Sequence, residues 1–129
     1  DESYNANPAS MKATLRHFSG EKNSGRKIVL LGAMGELGEQ SGHYHTALAD
    51  DILSSGAEAI ILVGDDMAHT AAKLEQGLDR GVKMSHAANA SEALTEVAKL
   101  LSDGDLLLVK GSNYLGLSSA VSALVSGEY

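Results

Sequence analysis

The 129-residue sequence has no cysteine, no tryptophan, one phenylalanine and one proline. Without cysteine there is neither a disulfide framework nor a thiolate metal site, which fits a reducing compartment. With so few rings, a core has to be built from Ala, Leu and Val. Basic charge is short as well: 10 Lys and Arg stand against 17 Asp and Glu, a formal charge of −7. That balance argues against a nucleic-acid partner, because duplex binding relies on a basic surface that neutralises phosphates. No apolar run approaches the roughly 20 residues that span a bilayer, and no secretory leader is visible. We therefore expect no membrane insertion and a soluble, cytoplasmic domain. Also missing is G-x-x-x-x-G-K-[ST], the P-loop that cradles nucleotide phosphates. The length suits one domain with a real core.

What the chain does have is alternation. Ile28-Val29-Leu30-Leu31, Ala59-Ile60-Ile61-Leu62-Val63 and Leu106-Leu107-Leu108-Val109 are short continuous apolar runs, each soon followed by Gly. Such runs suit strands buried on both faces of a parallel sheet. A weaker strand is expected over Lys83-Met84-Ser85-His86-Ala87. Between the runs the spacing becomes helical. Met11, Leu15 and Phe18 share a face, as do Leu48 and Ile52, and Met67, Ala71, Leu74 and Leu78. Ala93, Leu94, Val97 and Leu101 form another such face, and Leu117, Val121 and Leu124 a last one. Asn7 reads as an N-cap with Pro8 at the first helical position. Gly20 and Gly56 read as left-handed helix ends, and Asn89 with Glu92 as a capping box. The expected fold is a single α/β domain over residues 1–129, a Rossmann-like, doubly wound, mostly parallel open sheet with helices on both faces.

Ligands of such sheets bind outside the carboxyl ends of the strands. The fold brings four segments there: Asp1 to Asn7, Gly32 to His45, Gly64 to Asp66, and Lys110 to Tyr114. In the first, Tyr4 offers a ring to stack on a base, and Asp1, Asn5 and Asn7 offer partners for ribose hydroxyls. The plain alternatives are an aromatic lid, a frayed terminus and a helix cap. Gly32, Gly35 and Gly38 are spaced G-x-x-G-x-x-G, which is not the dinucleotide fingerprint, and Glu39-Gln40-Ser41-Gly42 delays the next helix. A Gly-rich connection with left-handed turns accounts for them. Lys110-Gly111-Ser112 could meet an anionic group, with a solvated Lys, a turn Gly and a capping Ser as the alternative. His43 and His45, near Glu39, raise a metal site. On a helix, however, their side chains diverge by about 200° and no third ligand is evident. One of the two is expected to face solvent and the other to pack or hydrogen-bond at a helix start. His17, His69 and His86 stand singly.

Ser3-Tyr4-Asn5-Ala6-Asn7-Pro8, followed by Ser10-Met11, resembles the signature opening the C-terminal domain of Mur ligases. The resemblance is to the branch that adds D-alanyl-D-alanine to UDP-N-acetylmuramoyl-tripeptide. Leu31-Gly32-Ala33-Met34-Gly35-Glu36-Leu37-Gly38, with His45 downstream, and Leu108-Val109-Lys110-Gly111-Ser112 match further blocks in order. The resemblance implies an ATP-dependent carbon–nitrogen ligase of peptidoglycan precursor synthesis, working through an acyl phosphate. It further implies three domains, of which this would be the third: one for the UDP-sugar, one with the P-loop and Mg²⁺ ligands, and one that closes over the nucleotide. The expectation is then a chain cut near the central boundary and inactive by itself. By the same resemblance Asp1, Tyr4, Asn5 and Asn7 line the adenosine side of an ATP site. Lys110, Gly111, Ser112 and His45 belong to the substrate side, near the dipeptide carboxylate or the reacting phosphate. The pattern departs at Ala33, where relatives commonly carry Asp, at Asn113, where they carry Arg, and at Glu2, often Asp. A stand-alone nucleotide-binding module and a non-enzymatic interaction domain are the competing readings.

Overall fold

Three of the four described strands form where apolar residues run together. In the computed structural model, which describes residues 6–111, β1 is Lys27–Gly32, β2 Ala59–Val63, β3 Lys83–Ala87 and β4 Leu106–Lys110. They make one parallel sheet in the order β3-β2-β1-β4. Of the two central strands, β2 is apolar and buried throughout, and β1 is so after Lys27. β3, at one side of the described sheet, is largely exposed or half-buried, which is why its sequence signal is weak.

Among the described residues four α-helices, α1 (Pro8–Ser19), α2 (Ser41–Ser54), α3 (Met67–Leu74) and α4 (Ala90–Leu100), connect or precede the strands. Side chains alternate across a strand, so neighbouring residues serve different layers. Val29, Leu31, Ile60 and Leu62 pack with Met11, Leu15 and Phe18 of α1, Leu48 and Ile52 of α2, and Met67 and Leu74 of α3. Leu30, Ile61 and Val63 pack with Ala93 and Val97 of α4. Of the described helices, three thus cover one face and α4 the other, the expected doubly wound architecture. The winding reverses between β1 and β4.

Capping residues set the helix limits. Asn7 Oδ1 accepts the Ser10 N–H at 2.9 Å and Ser10 Oγ accepts the Asn7 N–H at 3.0 Å, closing a reciprocal cap ahead of Pro8. Asn89 caps α4 through the Glu92 N–H. The expected reciprocal bond of a box is not made: the Glu92 carboxylate reaches the Ala88 N–H, one residue before the cap, at 3.5 Å. Gly56 has φ +81, as a left-handed helix end requires. Gly20 does not: with φ −88 it stays right-handed, its N–H donating to the His17 carbonyl at 3.1 Å while the Glu21 N–H donates to the Phe18 carbonyl at 3.1 Å. The end closes instead with two 3₁₀-type bonds, each from an N–H to the carbonyl three residues back. Leu78 lies past the end of α3 but still packs on the core. The helix expected around Leu117, Val121 and Leu124 lies outside the described residues.

At the amino edge of the sheet the turns before β1 and β4 are clamped together. The Asp105 carboxylate accepts the Arg26 backbone N–H at 2.8 Å, the Arg26 guanidinium at 3.1 Å and the Ser102 N–H at 3.0 Å. Led by the Arg26 backbone bond and opposed by burial, these contacts hold its carboxyl below the ordinary carboxylate range. The Arg26 guanidinium also donates to the Leu100 carbonyl. These contacts tie the amino ends of β1 and β4 to each other and to the end of α4.

Candidate functional site

At the carboxyl edge, β1 leaves the sheet at Gly32 and the next residue is held at once: the Ala33 N–H donates to the Val63 carbonyl at 2.9 Å. Gly64, which follows β2, lies so close that a Cβ there would stand 2.8 Å from the Ala33 Cβ, and its φ is +107. Only glycine fits both the space and the backbone. The two loops therefore run against one another, and His86, exposed at the end of β3, donates from Nε2 to the Gly64 carbonyl at 2.7 Å. On the other side of β1, Lys110 is in register with Leu31. Only 5% of Lys110 is exposed, and Gly111 beside it is buried.

The start of α1 reaches the same edge. A cleft of about 340 Å³ joins Pro8 and Lys12 of α1 to Met34 and to Tyr44 and Leu48 of α2. Lys12 pairs with Asp51 across it at 3.7 Å. Tyr44 is 39% exposed and meets the His43 ring edge-on at 5.4 Å. The described parts of all four segments expected at the ligand edge do meet there.

The loop from Ala33 to Leu37 has left-handed backbone at Glu36 (φ 58), and Gly38 after it has φ 60. A one-turn 3₁₀ helix, Gly38–Gln40, then intervenes before α2, so no α-helix N-terminus directly follows β1 as a dinucleotide fold would have it. The loop is tied to α2 through His45, which is fully buried. His45 Nε2 accepts the Met34 N–H at 2.9 Å, and Nδ1 lies 2.8 Å from the Ser41 carbonyl and 3.1 Å from Ser41 Oγ. Ser41 Oγ donates to the Asp66 carboxylate at 2.7 Å. Thr70 Oγ1 donates to the His45 carbonyl at 2.6 Å. The loop after β1, the start of α2 and the start of α3 are one hydrogen-bonded unit.

Against the expectations, Asn7 sits at the ligand edge with its side-chain oxygen occupied by the helix cap. Lys110 and Gly111 end β4 at that edge. His45 does not face a ligand; it is inside the protein with both ring nitrogens engaged, because α2 begins soon enough to turn it under the loop. His43, two residues earlier on α2, is exposed. Asp1, Tyr4, Asn5 and Ser112 lie outside the described residues. Ser41, Asp66 and Thr70 carry contacts that sequence reading passed over. The available signal was spacing, since Ser41 stands one helical turn before His45.

Among the described residues no three His, Asp or Glu side chains converge as metal ligands, and the Asp66 carboxylate is already taken by Ser41. These residues offer no cage for Mg²⁺. No helix among them is long and apolar enough to cross a membrane.

The family described as Mur ligase, glutamate ligase domain, matches residues 2–113. The UDP-N-acetylmuramoyl-tripeptide–D-alanyl-D-alanine ligase of Rickettsia prowazekii is 32% identical over 118 residues, covering 92% of this chain and 25% of that protein. The crystal structure of MurF from Acinetobacter baumannii superposes with a TM-score of 0.81 at 25% identity, covering 98% of this chain and 27% of that one. MurF ligase from Thermotoga maritima, solved in complex with ADP, shares the fold with a TM-score of 0.74 at 19% identity, over 99% of this chain and 27% of that one. The chain thus spans about a quarter of the length of these relatives.

Proposed function

The chain belongs to the Mur ligase family, as its C-terminal, glutamate ligase domain, and on that premise we propose that it serves an ATP-dependent ligase adding D-alanyl-D-alanine to UDP-N-acetylmuramoyl-tripeptide. In that reaction the tripeptide carboxylate attacks the γ-phosphorus of ATP, giving an acyl phosphate and ADP. The dipeptide amine then attacks the acyl carbon, loses a proton and expels phosphate as the amide forms. The domain contributes to the second half by closing over the reactants, which raises their effective concentration and excludes water. Mg²⁺ and the P-loop belong, in this reading, to a part of the enzyme other than this chain, and no step here runs through the metal.

The observation that carries the reading is a convergence. The start of α1, the loop after β1 and Lys110 come to one sheet edge, in a chain similar along nearly its whole length to a D-alanyl-D-alanine ligase. Asp1, Tyr4, Asn5 and Asn7 are assigned to the adenosine side. Lys110, with Gly111 and Ser112, is assigned to the dipeptide carboxylate or the transferred phosphate, where a shielded ammonium acts more strongly than in water. In the complete enzyme, Lys110→Ala should lower kcat/KM for D-alanyl-D-alanine roughly 30- to 100-fold, the loss of one charge-assisted hydrogen bond. Steady-state kinetics at saturating ATP check this, and an unchanged kcat/KM removes Lys110 from the site.

A further inference from the structure

We propose that His45 is a positioning residue that latches the loop after β1 in place, with Ser41 and Asp66 setting the latch. The inference takes the ligase reading as the reason the loop matters. An imidazole nitrogen accepts a hydrogen bond only when it carries no proton. Because Nε2 accepts the Met34 N–H, the ring proton sits on Nδ1, where it donates to Ser41. The Ser41 hydroxyl hydrogen is turned away toward the Asp66 carboxylate, so an oxygen lone pair faces Nδ1–H. That arrangement disfavours the other tautomer, in which Nε2–H would point at Met34 N–H. Thr70 fixes the His45 backbone to α3 from the far side.

The loop needs such a hold. Glu36 is a non-glycine residue at φ 58, a left-handed conformation that crowds its β-carbon against the following carbonyl. Met34 itself is buried under the cleft shared by α1 and α2. Fastening its amide carries the anchoring of Ala33 on β2 one residue further into the loop, toward the 3₁₀ turn. His45 thereby acts on the ligand edge through the loop, without touching a ligand.

Two measurements test this. In ¹⁵N-labelled protein near neutral pH, a scalar coupling across the Met34 N–H···Nε2 bond and the ¹⁵N shifts of an Nδ1–H imidazole are expected. An absent coupling or an Nε2–H tautomer overturns the latch, whatever reaction the enzyme performs. In the complete ligase, His45→Phe keeps a ring but loses the acceptor, and His45→Gln restores an acceptor near the Nε2 position. We expect kcat/KM for D-alanyl-D-alanine to fall about 10- to 100-fold in the Phe variant, as a misplaced segment does, and to recover substantially in the Gln variant. Chemical shifts of residues 33–38 should move in the first and return in the second. Unaltered kinetics in His45→Phe overturn the positioning role even if the coupling is present. Ligase activity missing from the wild-type enzyme would count against the reaction assignment, and the coupling would still decide the latch.

Discussion

Asp105 shows how one residue can couple this fold to pH. Its carboxyl is held below the ordinary carboxylate value by the Arg26 and Ser102 contacts, that value being about 3.9 in an unfolded chain. Between the lowered value and the ordinary one, the unfolded chain carries a proton that the folded chain does not. The stabilisation from Asp105 is therefore complete above the ordinary value and is lost as pH falls through the folded one. Asp105→Asn should unfold at lower urea concentration than the wild type at pH 7, and the two midpoints should draw together as pH drops below about 4. A gap that stays constant with pH would contradict the assignment. The same scale separates what residue identities reveal from what they hide. Lys110 at the end of an apolar run was recognisable as a candidate from its position alone. His45 was recognisable as chemistry but not as buried chemistry, because burial depends on where α2 begins and on what α3 lays against it.

Among the elements, α1 carries the clearest link between local sequence and site. Its reciprocal cap at Asn7 and Ser10 makes Asn7 both a helix terminator and a residue of the proposed nucleotide side. These roles use different atoms, since the cap takes the side-chain oxygen and leaves the amide nitrogen for a ligand. Asn7→Ala should cost about 1 kcal/mol of stability, whereas Asn7→Asp should cost almost nothing because Asp caps as well as Asn. Both should raise the KM for ATP in the complete enzyme, since both lack the amide. Equal KM values in wild type and Asp variant would leave Asn7 as a cap alone. The strands were legible because burial on both faces demands uninterrupted apolar residues. The αL end expected at Gly20 was not realised, since two bonds to carbonyls three residues back close that end with right-handed backbone.

For the whole molecule, the consequence is that a well-formed domain should be enzymatically silent. The chain has no P-loop sequence, and its described residues offer no metal cage. Incubated alone with ATP, UDP-N-acetylmuramoyl-tripeptide and D-alanyl-D-alanine, the 129-residue chain should release no phosphate above blank. Turnover would overturn the proposal that this domain works only with others. The sequence by itself determined the α/β class, the parallel sheet and which segments lie at its carboxyl edge. These follow from the period of apolar residues and from the handedness of strand–helix–strand connections. It also carried the family, through motifs at three separated places along the chain. Only the tertiary structure decided that the loop after β1 is held by His45 from within, and that Gly64 must be glycine against Ala33. Both depend on distances between segments far apart in sequence, and no local periodicity encodes how closely two loops approach.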